Sequence, residues 1–212
     1  MKIRSIQELN DLLDKDLAHR RRELTTYRLL TQTSRDSLRN HYLRAALCML
    51  YAHWEGFVKY ACTAYVQYVA SRGLPLYQLS AGLVAVSMRG AFAQAVETSL
   101  LEHRSALIRK VVSTDTTSAT FPVDDPIQTA SNLDSRVLRG LISMLAADYS
   151  PYEPSENLLN IKLLGNRNLV AHGALNRVDS SDFDLLYDTI QRLMVNVQTD
   201  VLNSAALERY LR

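Results

Sequence analysis

Arg167, Asn168 and His172 fall within the stretch Asn166-Arg167-Asn168-Leu169-Val170-Ala171-His172-Gly173, in a chain otherwise plain in its chemistry. Arginine brings a permanent planar cation that grips phosphate, and histidine exchanges protons near neutrality. That pairing suits cleavage of an RNA phosphodiester. The ribose 2′-OH must be activated, the leaving 5′-oxygen protonated and the charge on the phosphate stabilised. His172 and Arg167 have the chemistry for these roles, and the Asn168 amide could orient the phosphate or the 2′-OH. No metal or other cofactor is needed, and DNA, without a 2′-OH, would be inert.

At about 100° per residue, Asn168 and His172 share a helix face, whereas Arg167 and His172 lie about 140° apart. A site shared between two copies of the helix would relax that constraint. The spacing alone also fits Arg167 in a surface ion pair and His172 capping its own helix end, where the dipole favours an imidazolium.

The elements that must hold these residues read as helices. Ser5 followed by Glu8 has the form of a capping box, and Leu9, Leu12, Leu13 and Leu17 continue at helical spacing into Leu24, Leu29 and Leu30. Its Arg20-Arg21-Arg22 run reads as a solvated face, with phosphate contact as the rival reading. A second helix is expected from about 36 to 71, ended by Gly73 and Pro75, with Leu43, Leu47, Leu50, Trp54, Phe57, Ala61 and Tyr65 as its inner stripe. Residues 79 to 112 predict one or two further helices with core-facing apolar stripes and breaks at Gly82 or Gly90. The Ser/Thr/Asp-rich stretch 113–132, with Pro122 and Pro126, is loop chemistry, and its length implies mobility or function. Helical spacing returns from Leu133 to Ala147 and breaks between Tyr149 and Pro154. It resumes from Asn157 to about Ala171, where Gly173 terminates the helix beside His172. A last helix starts at Ser181-Asp182-Phe183-Asp184 and carries Leu185, Leu186, Ile190, Leu193, Met194, Val197 and Val201, expected to pack antiparallel on the helix of Arg167.

Composition agrees with an all-α class. Of 212 residues 47% are hydrophobic, and seven Gly and five Pro leave room for long uninterrupted helices around one core, so residues 1–212 are read as a single domain. The formal charge of +2, from 24 basic and 22 acidic side chains, excludes nucleic-acid binding by bulk electrostatics and makes any such contact local. Cys48 and Cys62 lie four turns apart on one helix and cannot pair within it; buried thiols in a reducing compartment are expected. Without CxxC or HxxxH, zinc is disfavoured. The longest apolar run, 45 to 52, is far short of the roughly 20 residues of a membrane span, and no apolar signal core opens the chain. A cytoplasmic protein with no membrane partner is the expectation.

The block Tyr51-Ala52-His53-Trp54-Glu55-Gly56-Phe57-Val58-Lys59-Tyr60, followed about a hundred residues later by Leu164-Gly165-Asn166-Arg167-Asn168-Leu169-Val170-Ala171-His172-Gly173, resembles the MAE-type branch of the HEPN superfamily. The resemblance runs from the first helix through Val201. It implies an all-α bundle of long antiparallel helices with one long polar loop, and a homodimer whose Arg167 and His172 meet across the interface. It implies metal-independent endoribonuclease activity, with RNA as substrate, and a role as a toxin or antiviral defence effector with an antitoxin or other defence-system partner. Arg167, Asn168 and His172 carry over onto the motif directly. Glu55 and Lys59 are accessory candidates, Glu55 orienting the Arg or His and Lys59 touching phosphate. A mutual i, i+4 ion pair is their plainer reading. Trp54 is read as core or dimer interface, and His53 has no assigned role. Where some HEPN toxins carry a tyrosine two residues after the motif histidine, modified by a nucleotidyltransferase antitoxin, this chain has Ala174, which speaks against neutralisation by that route. The rivals are a non-catalytic HEPN module that binds RNA, a nucleotide or a partner protein, and a purely structural helical dimer.

Overall fold

The computed structural model describes residues 3–97, 101–129, 131–174 and 177–212. They form helices without strands, apart from isolated bridges between Pro75 and Ser118 and between Leu79 and Leu211. The eight α-helices are α1 (Ile6–Thr33), α2 (Asp36–Ala70), α3 (Ala81–Ser87), α4 (Arg89–Glu97), α5 (Leu101–Val112), α6 (Ser135–Met144), α7 (Asn166–Ala171) and α8 (Ser180–Ala206).

The long helices α1, α2 and α8 pack on one another around a shared core. Helix α1 opens with the expected capping box: the Glu8 amide donates to Ser5 Oγ (3.1 Å), and the Glu8 carboxylate accepts from the Ser5 amide (3.3 Å). Leu9, Leu13, Leu17 and Leu24 are buried, but Leu29 and Leu30 face outward, against expectation. Seven residues after Leu24, two helical turns on, the inward position falls to Thr31, which is buried and donates to the Arg28 carbonyl.

Helix α2 is the strut of the fold. Its predicted stripe from Leu43 to Tyr65 is buried throughout, and Trp54 is wholly enclosed, which assigns it to the core. Each such side chain removed from water contributes about 1.5–3 kcal/mol. Arg20 lies inward too, not on a solvated face. Its guanidinium bonds Asp16 (2.6 Å) and the His53 carbonyl (3.3 Å) over Gly56, where a Cβ would come within 2.6 Å of Arg20 Nη1. Arg21 reaches Gln191 on α8.

Between Leu79 and Val112 the described residues form three helices, not one or two. Gly82 and Gly90 lie inside α3 and α4, and the break between them falls at Met88. Gly82 instead permits close packing, since a Cβ there would stand 2.7 Å from the Met144 backbone. The expected core stripe is confined to Leu79, Leu83 and Met88. Phe92, Val96, Leu101, Ile108 and Val112 are exposed, because α4 and α5 project beyond the packed layers and bury no residue.

The described residues of 113–132 contain no helix, as expected, yet the loop is fastened. Ser87 donates to the Thr120 carbonyl, Arg89 to the carbonyls of Asp125 and Pro126, and Ile127 and Thr129 are buried. Asp134 then caps α6.

The helix expected from Asn157 to Ala171 is two pieces: a π-helical segment, Leu158–Gly165, continued by the six-residue α7. Asn160 ties the π-helical segment to Ser135 at the start of α6, accepting from its amide and donating to its hydroxyl. Helix α8, capped by Asp179, packs mainly on α2 and α1 and meets the motif segment chiefly through its π-helical half. That corrects the expected antiparallel pairing with the motif helix, because α7 is short and lies against α2. Leu185 is exposed, while Leu186, Ile190, Leu193, Met194, Val197 and Val201 are buried. No helix among the described residues is long and apolar enough to cross a membrane.

Candidate functional site

Helix α7 delivers Arg167 to the flank of α2. The guanidinium lies over the Tyr51 ring, 4.0 Å from its centroid, and Nη2 donates to the Ser131 carbonyl (2.8 Å). Tyr51 supports the same carbonyl: its hydroxyl donates to Ser131 O (3.3 Å) and accepts from the Leu133 amide (2.8 Å). Burial pushes the Tyr51 phenol above its ordinary range, which keeps the proton for that donation. Ser131 holds φ +55°, a left-handed conformation costing a non-glycine residue about 1–2 kcal/mol. Its carbonyl is thereby fixed between the two donors.

Arg167 has no ion pair among the described residues, and its Nε is buried with no hydrogen-bond partner. The surface ion pair that the spacing allowed is therefore absent. His172 is the C-cap of α7 (φ −91°, ψ 6°); its amide donates to the Asn168 carbonyl and its ring is exposed, with no side-chain hydrogen bond or ion pair among the described residues. Asn168 is half-buried. Arg167 thus faces the α2 seam while His172 stands open at the helix end.

Glu55 and Lys59 do not pair with each other. Glu55 accepts from the Thr129 hydroxyl (2.5 Å) and Lys59 pairs with Asp125 (2.5 Å), so each fastens the 113–132 loop to α2. One turn of α2 separates them, and the loop puts a better-placed partner opposite each. Between them lies a groove of about 650 Å³ lined by Ala52, Glu55, Lys59, Gln128, Thr129 and Ser131, which adjoins the carbonyl that holds Arg167.

Tyr51 and Ser131 escaped the sequence reading. Tyr51 stood inside a quoted block without a role; a signal existed in its spacing, four residues before Glu55 on one face. Ser131 carried none, since its part is played by backbone. Of the cysteines, Cys62 is buried as expected and Cys48 is half-buried on the α2 face toward Arg167. His53 is buried with neither ring nitrogen hydrogen-bonded; Nε2 lies 3.2 Å from Glu23. Among the described residues no three His, Cys, Asp or Glu side chains are grouped as a metal ion would require.

The described residues form the all-α bundle that the resemblance implied, with Arg167 on a short helix beside one long central helix. The family model of the MAE-type HEPN-like proteins matches residues 9–210, and the chain belongs to that family. No curated protein and no solved structure matches the chain.

Proposed function

We propose that this chain is a metal-independent endoribonuclease that works as a homodimer, with Arg167 and His172 as its reacting groups and Asn168 orienting the substrate. The observation that carries the reading is the state of Arg167: a guanidinium held in place by a ring and a carbonyl, without a carboxylate among the described residues to neutralise it, on a short helix that an exposed histidine caps. A cation so placed is available to an anionic ligand.

The ribose 2′-oxygen attacks phosphorus as a base removes its proton. The P–O5′ bond breaks, the 5′-oxygen receives a proton, and the products are a 2′,3′-cyclic phosphate and a 5′-OH. His172 supplies base or acid, and Arg167 stabilises the phosphate's charge as it develops. The angle of about 140° between the two positions on α7 keeps one copy from presenting both to the same phosphate face. Two α7 helices meeting at their exposed sides give each Arg167 the partner copy's imidazole. Ile161 and Leu169, exposed on the same segment as His172, supply apolar surface for that meeting. A role as toxin or defence effector, with an antitoxin or other defence-system partner, belongs to the same reading by family membership.

The second reading is a non-catalytic module that binds RNA or a nucleotide. It is favoured by the His172 ring, which no group among the described residues orients. Incubating the protein with labelled RNA in EDTA, beside Arg167→Ala and His172→Ala, separates the two. Cyclic-phosphate ends from the wild type alone support the nuclease, whereas RNA that is bound but intact supports the module. Cleavage by either purified mutant would overturn the assignment of the residues.

A further inference from the structure

The α2 helix carries Asn40, Arg44, Cys48, Tyr51, Glu55 and Lys59 at offsets that place all six within about 100° of its surface. Three of them have partners described above or near them. Glu55 and Lys59 hold the loop, and Tyr51 holds Arg167. Asn40 accepts from the Val178 amide (3.0 Å). Arg167, over Tyr51, and Val178, at Asn40, are therefore two anchor points on this stripe, met in the reverse of their order along α2. Arg44 lies on the stripe between those two anchor points.

Arg44 has no ion pair among the described residues, and its Nε, like that of Arg167, is buried without a hydrogen-bond partner. Cys48 stands between the two arginines: burial pushes its thiol up, and Arg167 and Arg44 both pull against that by favouring the thiolate. Two guanidiniums thus converge on one seam with no carboxylate shared between them. Like charges brought close with their Nε atoms out of water favour an anion that joins them.

We propose that Arg44 and Arg167 form a two-arginine site for a backbone phosphodiester of a polynucleotide, with Cys48 as its floor. The proposal rests on the ribonuclease reading for the identity of the polynucleotide, and on the seam itself for the anion. Arg44 is a binding residue here. It grips the phosphate while Arg167 and the partner copy's imidazole meet the reacting atoms.

Cys48 gives a readout that does not depend on cleavage. Cys62 is enclosed, and burial pushes its thiol up to about 12, so it stays silent. The modification rate of Cys48 by a soluble disulfide reagent is measured in the full chain with a 2′-O-methyl RNA oligonucleotide, which the 2′-OH route cannot cut, or with inorganic phosphate at matched ionic strength. The oligonucleotide should slow modification several-fold in the wild type. Arg44→Gln should abolish that protection and weaken oligonucleotide binding by about tenfold or more. The slope of log affinity against log salt should fall by about 0.7, as for one lost contact to a single strand. Arg44→Lys, which keeps the charge without the planar fork, should retain part of both effects, and circular dichroism of each variant reports the fold. Equal protection in the wild type and Arg44→Gln, or no protection in either, overturns the site. Protection by phosphate but not by the oligonucleotide overturns the polynucleotide assignment. Failure to cleave RNA, with protection intact, removes the nuclease reading and leaves the site standing.

Discussion

Arg167 lies over the ring of Tyr51 at 4.0 Å, and both side chains donate to one backbone oxygen, that of Ser131. Tyr51 thereby joins α2, α7 and the end of the long loop. Its hydroxyl and its ring do different work, and two substitutions separate them. Tyr51→Phe keeps the ring under Arg167 but strands the buried Leu133 amide, and should cost about 1–3 kcal/mol in urea unfolding while leaving RNA binding near the wild type. Tyr51→Leu removes the ring as well and should lower Arg167-dependent binding further. Equal binding loss in both would mean that the ring does not position Arg167.

Glu55 and Lys59 should differ as loop anchors. The Lys59–Asp125 pair is close to half exposed on both sides, so Lys59→Ala should change loop protection little. Glu55→Ala removes the acceptor of the buried Thr129 hydroxyl. Amide exchange should then accelerate from Gln128 to Leu133 in Glu55→Ala alone. Faster exchange in Lys59→Ala to the same degree would refute the distinction.

Two glycines should respond to alanine in different ways. At Gly82 the obstacle is the Met144 backbone, 2.7 Å from a new Cβ, so Gly82→Ala should destabilise by about 1–3 kcal/mol. At Gly56 the obstacle is the end of Arg20, 2.6 Å away. Displacing it disturbs the bonds to Asp16 and the His53 carbonyl, which offsets the gain of about 1 kcal/mol from replacing a helical glycine. In an Arg20→Ala background that gain should appear. A double-mutant cycle without coupling would show that Gly56 is not there for Arg20.

His53 should leave a mark on the pH dependence of stability. Burial, opposed by Glu23, lowers its pKa below the ordinary 6.5. The unfolded chain therefore takes up the proton first as pH falls, so stability declines as pH falls from about 6.5 toward the lowered folded value and levels off below it. His53→Phe should flatten that segment of a urea-midpoint profile. A profile unchanged by the substitution would place the acid sensitivity elsewhere.

Much of this architecture is legible in periodicity. The α2 stripe, the capping box at Ser5 and the stop at Gly73 follow from spacing and backbone chemistry that act within a few residues. That Arg167 lies on a helix which ends beside His172 was legible for the same reason, though the helix expected from Asn157 to Ala171 is in two pieces. Their surroundings were not, because Ser131 and Thr129 reach α2 and α7 across tens of residues of loop, and one of them uses only its backbone. Leu29, Leu30 and Leu185 misled because an apolar residue at a helix margin looks the same in sequence whether or not a neighbour covers it. The π-helical segment was invisible, since a change from i→i+4 to i→i+5 bonding leaves no mark on composition.

That segment also sets the phase of everything after it. Each i→i+5 turn takes up one residue more than an α-turn, so Leu158–Gly165 stores chain length in its winding. Deleting a single residue there would use up that extra length and let the segment relax to ordinary α-winding with the following helix close to its present phase, whereas inserting one would turn it by about 100°. An insertion would swing Arg167 off Tyr51, and either change would also shift Leu159, Leu163 and Leu164, which the segment buries in the core. Arg167 should therefore keep its place better after a one-residue deletion between 158 and 165 than after a one-residue insertion.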